Sequence, residues 1–397
     1  MEVLLQNIPI QYFTLMILVF AFGMTFWMIP IIIEIIKKKN IMDDPNGRSS
    51  HTMQTPTLGG FVFFVVLMMS IFLLKDYDTT AIGFHIIPGM TILFFVGLKD
   101  DLMVLDPKKK ILAQLVAITF ILMEPGLLPT HFHGFLGLAE VPLWLSIISA
   151  YFIVLCVINA YNLIDGIDGL AAMIGVVIFT FFSYIFYNLH MYYFSLLAVV
   201  CIGFLIGFLR YNLSNTNKIF MGDTGSMIVG FLIGIMSLRF LALDNSQLLS
   251  LQIKPSNIFL LSLVILFILF MDTIRVVTIR LINKKGAFSP DRNHIHHIII
   301  DLGISHFKAS TIISLYNVFV ILLFFALSKI LSTTGLFIMF VLVSLFTILI
   351  VFHFNANYSA LKQKIKIRNF FVSKKNLDQF KELKLNNSLA GIFRMFF

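Results

Sequence analysis

The sequence predicts an all-α integral membrane protein crossed by about eleven helices. Three observations lead there. Of the 397 residues, 59% are hydrophobic and 12% charged, whereas a soluble domain carries about 25% charged residues. Apolar runs of membrane-spanning length recur from Tyr12 to Phe354. Finally, 25 of the 29 Lys and Arg residues fall in or beside alternate connections and the C-terminal tail. A bilayer-threaded chain keeps its basic loops on the inner side.

A spanning helix needs about 20 apolar residues. That length picks out Tyr12–Ile36, Leu58–Leu74, Ala81–Gly97, Ile111–Leu128, Leu143–Ile158, Leu170–Tyr187, Tyr192–Tyr211, Ser226–Leu243, Asn257–Ile282, Ser310–Leu331 and Gly335–Phe354. With the N-terminus outside, the basic connections 37–57, 98–110, 212–225 and 283–309 are cytoplasmic, as is the uncharged-by-base connection 159–169. Residues 1–355 form the membrane domain, and 356–397 a basic, amphipathic cytoplasmic tail beside anionic lipid. The formal charge of +9 follows from this topology and not from nucleic-acid binding. No cleavable signal peptide is expected, since no basic region precedes the first apolar run. Cys156 and Cys201 lie inside apolar runs and are read as core residues without a disulfide. The longest outer connection, Glu124–Pro142, is rich in Pro and Gly and suits a small hairpin or re-entrant lip. No internal repeat is seen, which weakens a transporter reading.

One stretch stands out, Asn159-Ala-Tyr-Asn-Leu-Ile-Asp-Gly-Ile-Asp-Gly-Leu170. It lies between two apolar runs yet carries two amides and two carboxylates. A charge at membrane depth costs at least ~2.5–3.5 kcal/mol unless it meets water, a cation or a partner. Asn159, Asn162, Asp165 and Asp168 recur every third residue. A tightened 3₁₀ turn would align them in one row, whereas an α-helix would fan them over half its circumference. The stretch is read as the floor of a polar cavity open to one side of the membrane.

The other polar residues gather in connections on that same side. These are Asp43-Asp-Pro-Asn-Gly-Arg48 with His51 and Pro56-Thr-Leu-Gly-Gly60; Lys99-Asp-Asp101 followed by Pro107, Lys110 and Gln114; Phe220-Met-Gly-Asp-Thr-Gly-Ser226; and Ser289-Pro-Asp-Arg-Asn-His-Ile-His-His297. Asp100, Asp101, Asp165, Asp168 and Asp223 concentrate negative charge, which a cation must offset. Magnesium suits such a set because it takes oxygen ligands and joins one or two carboxylates to substrate phosphates; manganese is the alternative ion. Lys110, Arg292 and the histidines suit phosphoryl oxygens. A metal, a base and a phosphate clamp make up the layout of phosphoryl transfer. Plainer readings apply elsewhere: Asp43, Asp44, Asp106 and Asp301 suit helix caps, and Asp272 suits an ion pair with Arg275.

Together these motifs resemble the polyprenyl-phosphate N-acetylhexosamine-1-phosphate transferases, and they run in order from Asp43 to His297. The resemblance implies a reaction in which undecaprenyl phosphate attacks the β-phosphorus of a UDP-N-acetylhexosamine, releasing UMP. It also implies magnesium, an eleven-span fold and often a homodimer; the expected location is the bacterial plasma membrane, with the site on the cytoplasmic side. It makes Asp223 a metal ligand, joined by Asn162. Asp100 becomes the base beside Asp101, while Asp165 and Asp168 shape the nucleoside and metal site. Phe220 stacks on uracil. Lys110, Asn159, Arg48, His51, Arg292, His294, His296 and His297 become substrate or phosphate contacts. Ile295 interrupts the histidines, and Thr52-Met-Gln precedes Thr55-Pro-Thr57, which favours the branch that starts surface polymers on GlcNAc-1-phosphate. The peptidoglycan branch, acting on UDP-MurNAc-pentapeptide, and a lipid or sugar transporter are the alternatives.

Overall fold

The computed structural model describes residues 8–39, 56–103, 105–137, 140–284, 286 and 293–372, with 136 and 355–372 as backbone only. The helices, in chain order, are α1 Ile10–Lys39, α2 Gly59–Leu73, α3 Ile82–Leu102, α4 Pro107–Leu122, α5 Leu143–Ile164, α6 Leu170–Asn188, α7 Tyr192–Asn212 and α8 Gly222–Leu241. There follow α9 Asn245–Ser250, α10 Ile258–Ile265, α11 Phe267–Ile282, α12 Ile295–Asp301, α13 His306–Ser328 and α14 Thr333–Val372. Among the described residues the only strand-like pairing is an isolated antiparallel bridge, His131 to Glu140, inside the Pro/Gly-rich connection. The chain divides into two compact units, Met1–Ser344 and Leu345–Phe397, and the expected boundary at 355 falls within α14.

A helix covers each of the expected spanning stretches. Among the described residues, eight are long and apolar enough to cross a membrane, or nine with the bent pair Pro255–Ile265 and Phe267–Ile282 counted as one. The protein is a multi-pass membrane protein. α2 is shorter, at 15 residues, and α4 has 16. α4 starts where the sequence dictates: Asp106 caps it by accepting from Lys108 N–H at 2.7 Å, with Pro107 in the first turn. That is the cap expected for Asp106.

α8 is the central post. Its spanning window is 94% buried, against 28% for α1. It can be enclosed because Gly230 and Gly234, four apart, let α5 come close. A Cβ on Gly230 would lie 2.8 Å from the Ile158 Cα, and one on Gly234 2.8 Å from the Val154 side chain. Small residues spaced this way let helix backbones pack in a membrane, where dispersion and not hydrophobicity drives association. The seam sets the distance between the polar ends of α5 and α8.

The stretch Asn257–Ile282, expected as one span, is broken. α10 and α11 meet at Leu266 with a bend of 69°. Neither Gly nor Pro occurs at the break. Asn317 on α13 serves the broken backbone: its Oδ1 accepts from Ile268 N–H at 3.2 Å and its Nδ2 donates to the Ile265 carbonyl at 3.1 Å. One buried amide thus satisfies a donor and an acceptor at the break, which lipid could not do.

Gly230→Ala is expected to destabilise the protein by about 1–3 kcal/mol through overpacking against Ile158. A lowered unfolding midpoint in detergent would show it. Gly23→Ala, where an added Cβ meets nothing within 4 Å, is the control and leaves the midpoint at or above wild type.

Candidate active site

The ends of α3, α4, α5 and α8 meet at one place. Asp100 and Asp101 sit side by side at the end of α3, and successive helical residues point about 100° apart, so they serve different neighbours. Asp101 turns to α8. It accepts from Asp223 N–H at 2.6 Å, Thr224 N–H at 3.1 Å and the Thr224 hydroxyl at 2.6 Å. Those are the first N–H groups of a helix, which lack intrahelical partners and carry partial positive charge. Asp101 therefore fixes the first turn of α8, and both its oxygens are occupied in doing so.

Asp100 turns the other way. One oxygen accepts from Leu105 N–H at 2.7 Å and the other from Lys110 at 3.0 Å. The Lys110 ammonium is also 3.0 Å from Asp223 Oδ1, so a single cation bridges two carboxylates. Asn162 of α5 donates to the same Asp223 oxygen and, at 2.7 Å, to Ser226 Oγ. Asn162 is where the α5–α8 seam places it, three residues past Asn159. Asn159 lies elsewhere on the helix and donates to Gln114 and to the Leu155 carbonyl, each at 2.8 Å. It ties α5 to α4 and, among the described residues, makes no hydrogen bond to the carboxylates. The stretch is ordinary α-helix as far as Ile164, not the aligned 3₁₀ row.

Beyond Ile164 the loop to α6 holds two aspartates with opposite electrostatics. Burial pushes Asp165 up to about 7, and repulsion from Asp223, Asp101 and Asp168 adds to it. Its carboxylate has no hydrogen-bond partner among the described residues. Burial also acts on Asp168, but His306 and Lys218 donate to its Oδ2, at 2.8 Å and 2.6 Å, and hold it below the ordinary carboxylate value. Lys218 also lies over the Phe220 ring at 5.3 Å. The Phe220 backbone pairs with the first basic connection: its N–H donates to the Pro56 carbonyl, and Gly59 N–H donates to its own carbonyl. Asn212, buried, accepts from Gly169 N–H at 2.6 Å and donates to the Ile219 carbonyl at 2.9 Å, joining the two loops. Ser310 donates to the Asp168 carbonyl at 2.7 Å.

The histidine loop closes the site from another side. His294 and His296 are buried, their rings 5.6 Å apart, and His297 lies 4.3 Å from His296. His296 sits against Gly166; a Cβ there would fall 2.9 Å from the His296 Cε1. Burial, then His297, pushes the His296 imidazole well down, so it is neutral. His294 faces Asp272, which also takes Arg275, so the expected Asp272–Arg275 pair is present within a larger group. Arg48, His51 and Arg292 lie outside the described residues.

Four residues join the site that the motifs did not indicate: Lys218, His306, Ser310 and Asn212. His306 and Ser310, four apart, share one face of α13, which is the trace they leave in the sequence. Lys218 is, in the sequence, one of the basic residues of the 212–225 connection and lies in no motif.

Among the described residues, no three His, Cys, Asp or Glu side chains stand so as to hold a metal by themselves. The acidic donors at the centre are all oxygens, and two of their carboxylates already share one cation.

Fold and site together define a polytopic helical membrane protein with a composite centre of carboxylates and cations at one end of its bundle. Residues 83–241, which span α3 to α8, match the family described as glycosyl transferase family 4. The chain is 30% identical over 315 residues to the Bacillus subtilis "Probable undecaprenyl-phosphate N-acetylglucosaminyl 1-phosphate transferase", covering 79% of this chain and 85% of that one. It is 28% identical to the Mycobacterium tuberculosis decaprenyl-phosphate N-acetylglucosaminephosphotransferase, over 68% of this chain and 72% of the relative. It is also 28% identical to the Escherichia coli undecaprenyl-phosphate alpha-N-acetylglucosaminyl 1-phosphate transferase, over 71% and 75%. The chain belongs to glycosyl transferase family 4, on the branch of these polyprenyl-phosphate N-acetylglucosamine-1-phosphate transferases.

Asp165 gives the site a pH signature. Its value of about 7 in the folded protein, against 3.8 for a free side chain, means that folding takes up a proton between those limits. Its contribution to stability therefore falls as pH rises from about 4 through 7. Asp165→Asn is expected to raise the unfolding midpoint above wild type at about pH 8 in EDTA, with the gap closing toward about pH 4. A gap that does not change with pH would show that Asp165 carries no such burden.

Proposed function

We propose that this protein transfers GlcNAc-1-phosphate from UDP-GlcNAc to undecaprenyl phosphate, making the first lipid-linked intermediate of a bacterial surface polymer. The observation that carries the reading is the single ammonium of Lys110 held between Asp100 and Asp223, the meeting point of three helix ends. The names of the relatives support the acceptor and the sugar. In this reading the chain crosses the plasma membrane eleven times, its N-terminus is outside, and its site opens to the cytoplasm, where the nucleotide sugar is. The basic residues of the alternate connections support that orientation.

The reaction is a displacement at phosphorus. An oxygen of the lipid phosphate forms a bond to the β-phosphorus, the bond from that phosphorus to the bridging oxygen breaks, and UMP leaves with that oxygen. Asp100 takes the proton if the acceptor phosphate arrives protonated. Lys110 is placed to move from the carboxylates to the incoming phosphoryl oxygens as they compete for it. Asp101 acts by position, holding the first turn of α8 so that Asp223 faces Asn162. Lys218 and Phe220 form a wall with Asp168 that suits a uracil base. His294 and His296 lie beside the acidic loop, on the side where the pyrophosphate would be.

The oxygen-only donor set fits a magnesium ion, which needs just one or two carboxylates when substrate phosphates complete its shell. Asp223 would hold it, with Asn162 alongside through its amide oxygen. When bound, the ion neutralises charge on the pyrophosphate and on the departing UMP.

Membranes containing the protein are expected to convert radiolabelled UDP-GlcNAc into a butanol-soluble product that depends on added undecaprenyl phosphate and is lost in EDTA. Absence of product with any UDP-N-acetylhexosamine, expression being verified, would end the reading. UDP-MurNAc-pentapeptide is expected not to compete. Asp223→Ala is expected to reduce turnover by about 10²–10³-fold, the scale of losing one preorganised electrostatic partner.

A further inference from the structure

Asp272 lies within an apolar helix and is 4% exposed. A buried carboxylate is tolerated there only when donors surround it. Three N–H groups do so. Ile295 N–H donates to Oδ1 at 3.0 Å, Arg275 Nη2 donates to the same oxygen at 2.8 Å, and His294 Nδ1 lies 2.8 Å from Oδ2. A carboxylate serving as acceptor to all of them places the imidazole proton on Nδ1. In the neutral imidazole that leaves His294 Nε2 as the bare nitrogen, and among the described residues this atom is buried without a hydrogen-bond partner. Arg275 also donates to the Asn293 carbonyl, which pins the residue just before the histidines.

The contacts continue to the acidic loop. The His294 ring stacks on His296 at 12° between planes, and His296 packs on Gly166 between Asp165 and Asp168. A carboxylate that fixes the tautomer and orientation of an imidazole, whose other nitrogen faces the chemistry, is a recurrent arrangement in catalysis.

We infer that Asp272 is a positioning residue for the transfer reaction, acting through His294 by fixing its Nδ1 proton and presenting Nε2 as an acceptor. The inference rests on the reaction proposed above. A plain structural role, in which Asp272 only neutralises Arg275, makes a different prediction: its loss would matter equally whether or not His294 is present.

The test is a double-mutant cycle on the full-length protein in detergent, with UDP-GlcNAc and undecaprenyl phosphate, using wild type, D272N, H294A and D272N/H294A. D272N is expected to lower kcat by about 10- to 100-fold, the scale on which losing the partner that orients a metal-bound imidazole is felt. The KM for UDP-GlcNAc should stay within about twofold, because the interaction serves the reacting state more than donor binding. In the H294A background, D272N should cost less than about twofold more. Equal costs in both backgrounds would overturn the inference and leave Asp272 as an ion-pair partner. If D272N does not purify as a single species, D272E replaces it in the same cycle, keeping the charge opposite Arg275 while displacing the carboxylate from His294. The wild-type rate reports on the reaction, and only the coupling between the two positions reports on Asp272.

Discussion

The ammonium of Lys110, shared between Asp100 and Asp223, is the interaction on which the site depends. Two carboxylates at the edge of an apolar bundle repel each other and resist desolvation. One cation between them offsets part of both, and because Asp100 ends α3, Lys110 begins α4 and Asp223 begins α8, it also joins three helices. Removing one member of such a group leaves uncompensated charge, which costs more than the intact group contributes. The surrounding contacts follow from this arrangement. Asp101 holds the first turn of α8, Asn162 reaches Asp223 across a glycine seam, and the acidic loop lies just beyond.

Asp165 and Asp168 show how strongly environment decides the behaviour of identical side chains. They are three residues apart in one loop. Asp168 is given an imidazole and an ammonium, and it stays charged. Asp165 is given neither and faces the other carboxylates, so it holds its proton near neutrality. A pair of acids driven apart in this way provides one site with both a fixed charge and a group able to exchange a proton, which is the usual basis for acid–base assignments.

Much of this was legible in the sequence, for identifiable reasons. The spanning stretches follow from length and hydropathy, and intramembrane carboxylates draw attention because they are costly. The convergence of Asp100, Lys110, Asn162 and Asp223 followed from motifs gathered on one side. What was not legible depends on contacts between distant parts of the chain. Asn159 has the same spacing as Asn162 and was placed in the site, but helical geometry turns it toward Gln114. Lys218 and His306 bear on Asp168 from 50 and 138 residues away, and neither lies in a recognisable pattern. Asp101 looked like a twin of Asp100, and only coordinates separate a side chain that caps a helix from one that faces a lysine.

The elbow between α10 and α11 was also invisible in the sequence, and it has a mechanical consequence. At a break in a membrane helix the freed backbone groups must find partners nearby. Here Asn317 engages a free donor and a free acceptor at once, so the joint is locked by a neighbouring helix and not by its own residues. α11 thus leaves α10 at 69°, and it carries Asp272 and Arg275 to the histidine loop. Any opening that admits a long lipid chain must therefore be sought in other segments, since straightening this one would strip an amide of both its partners.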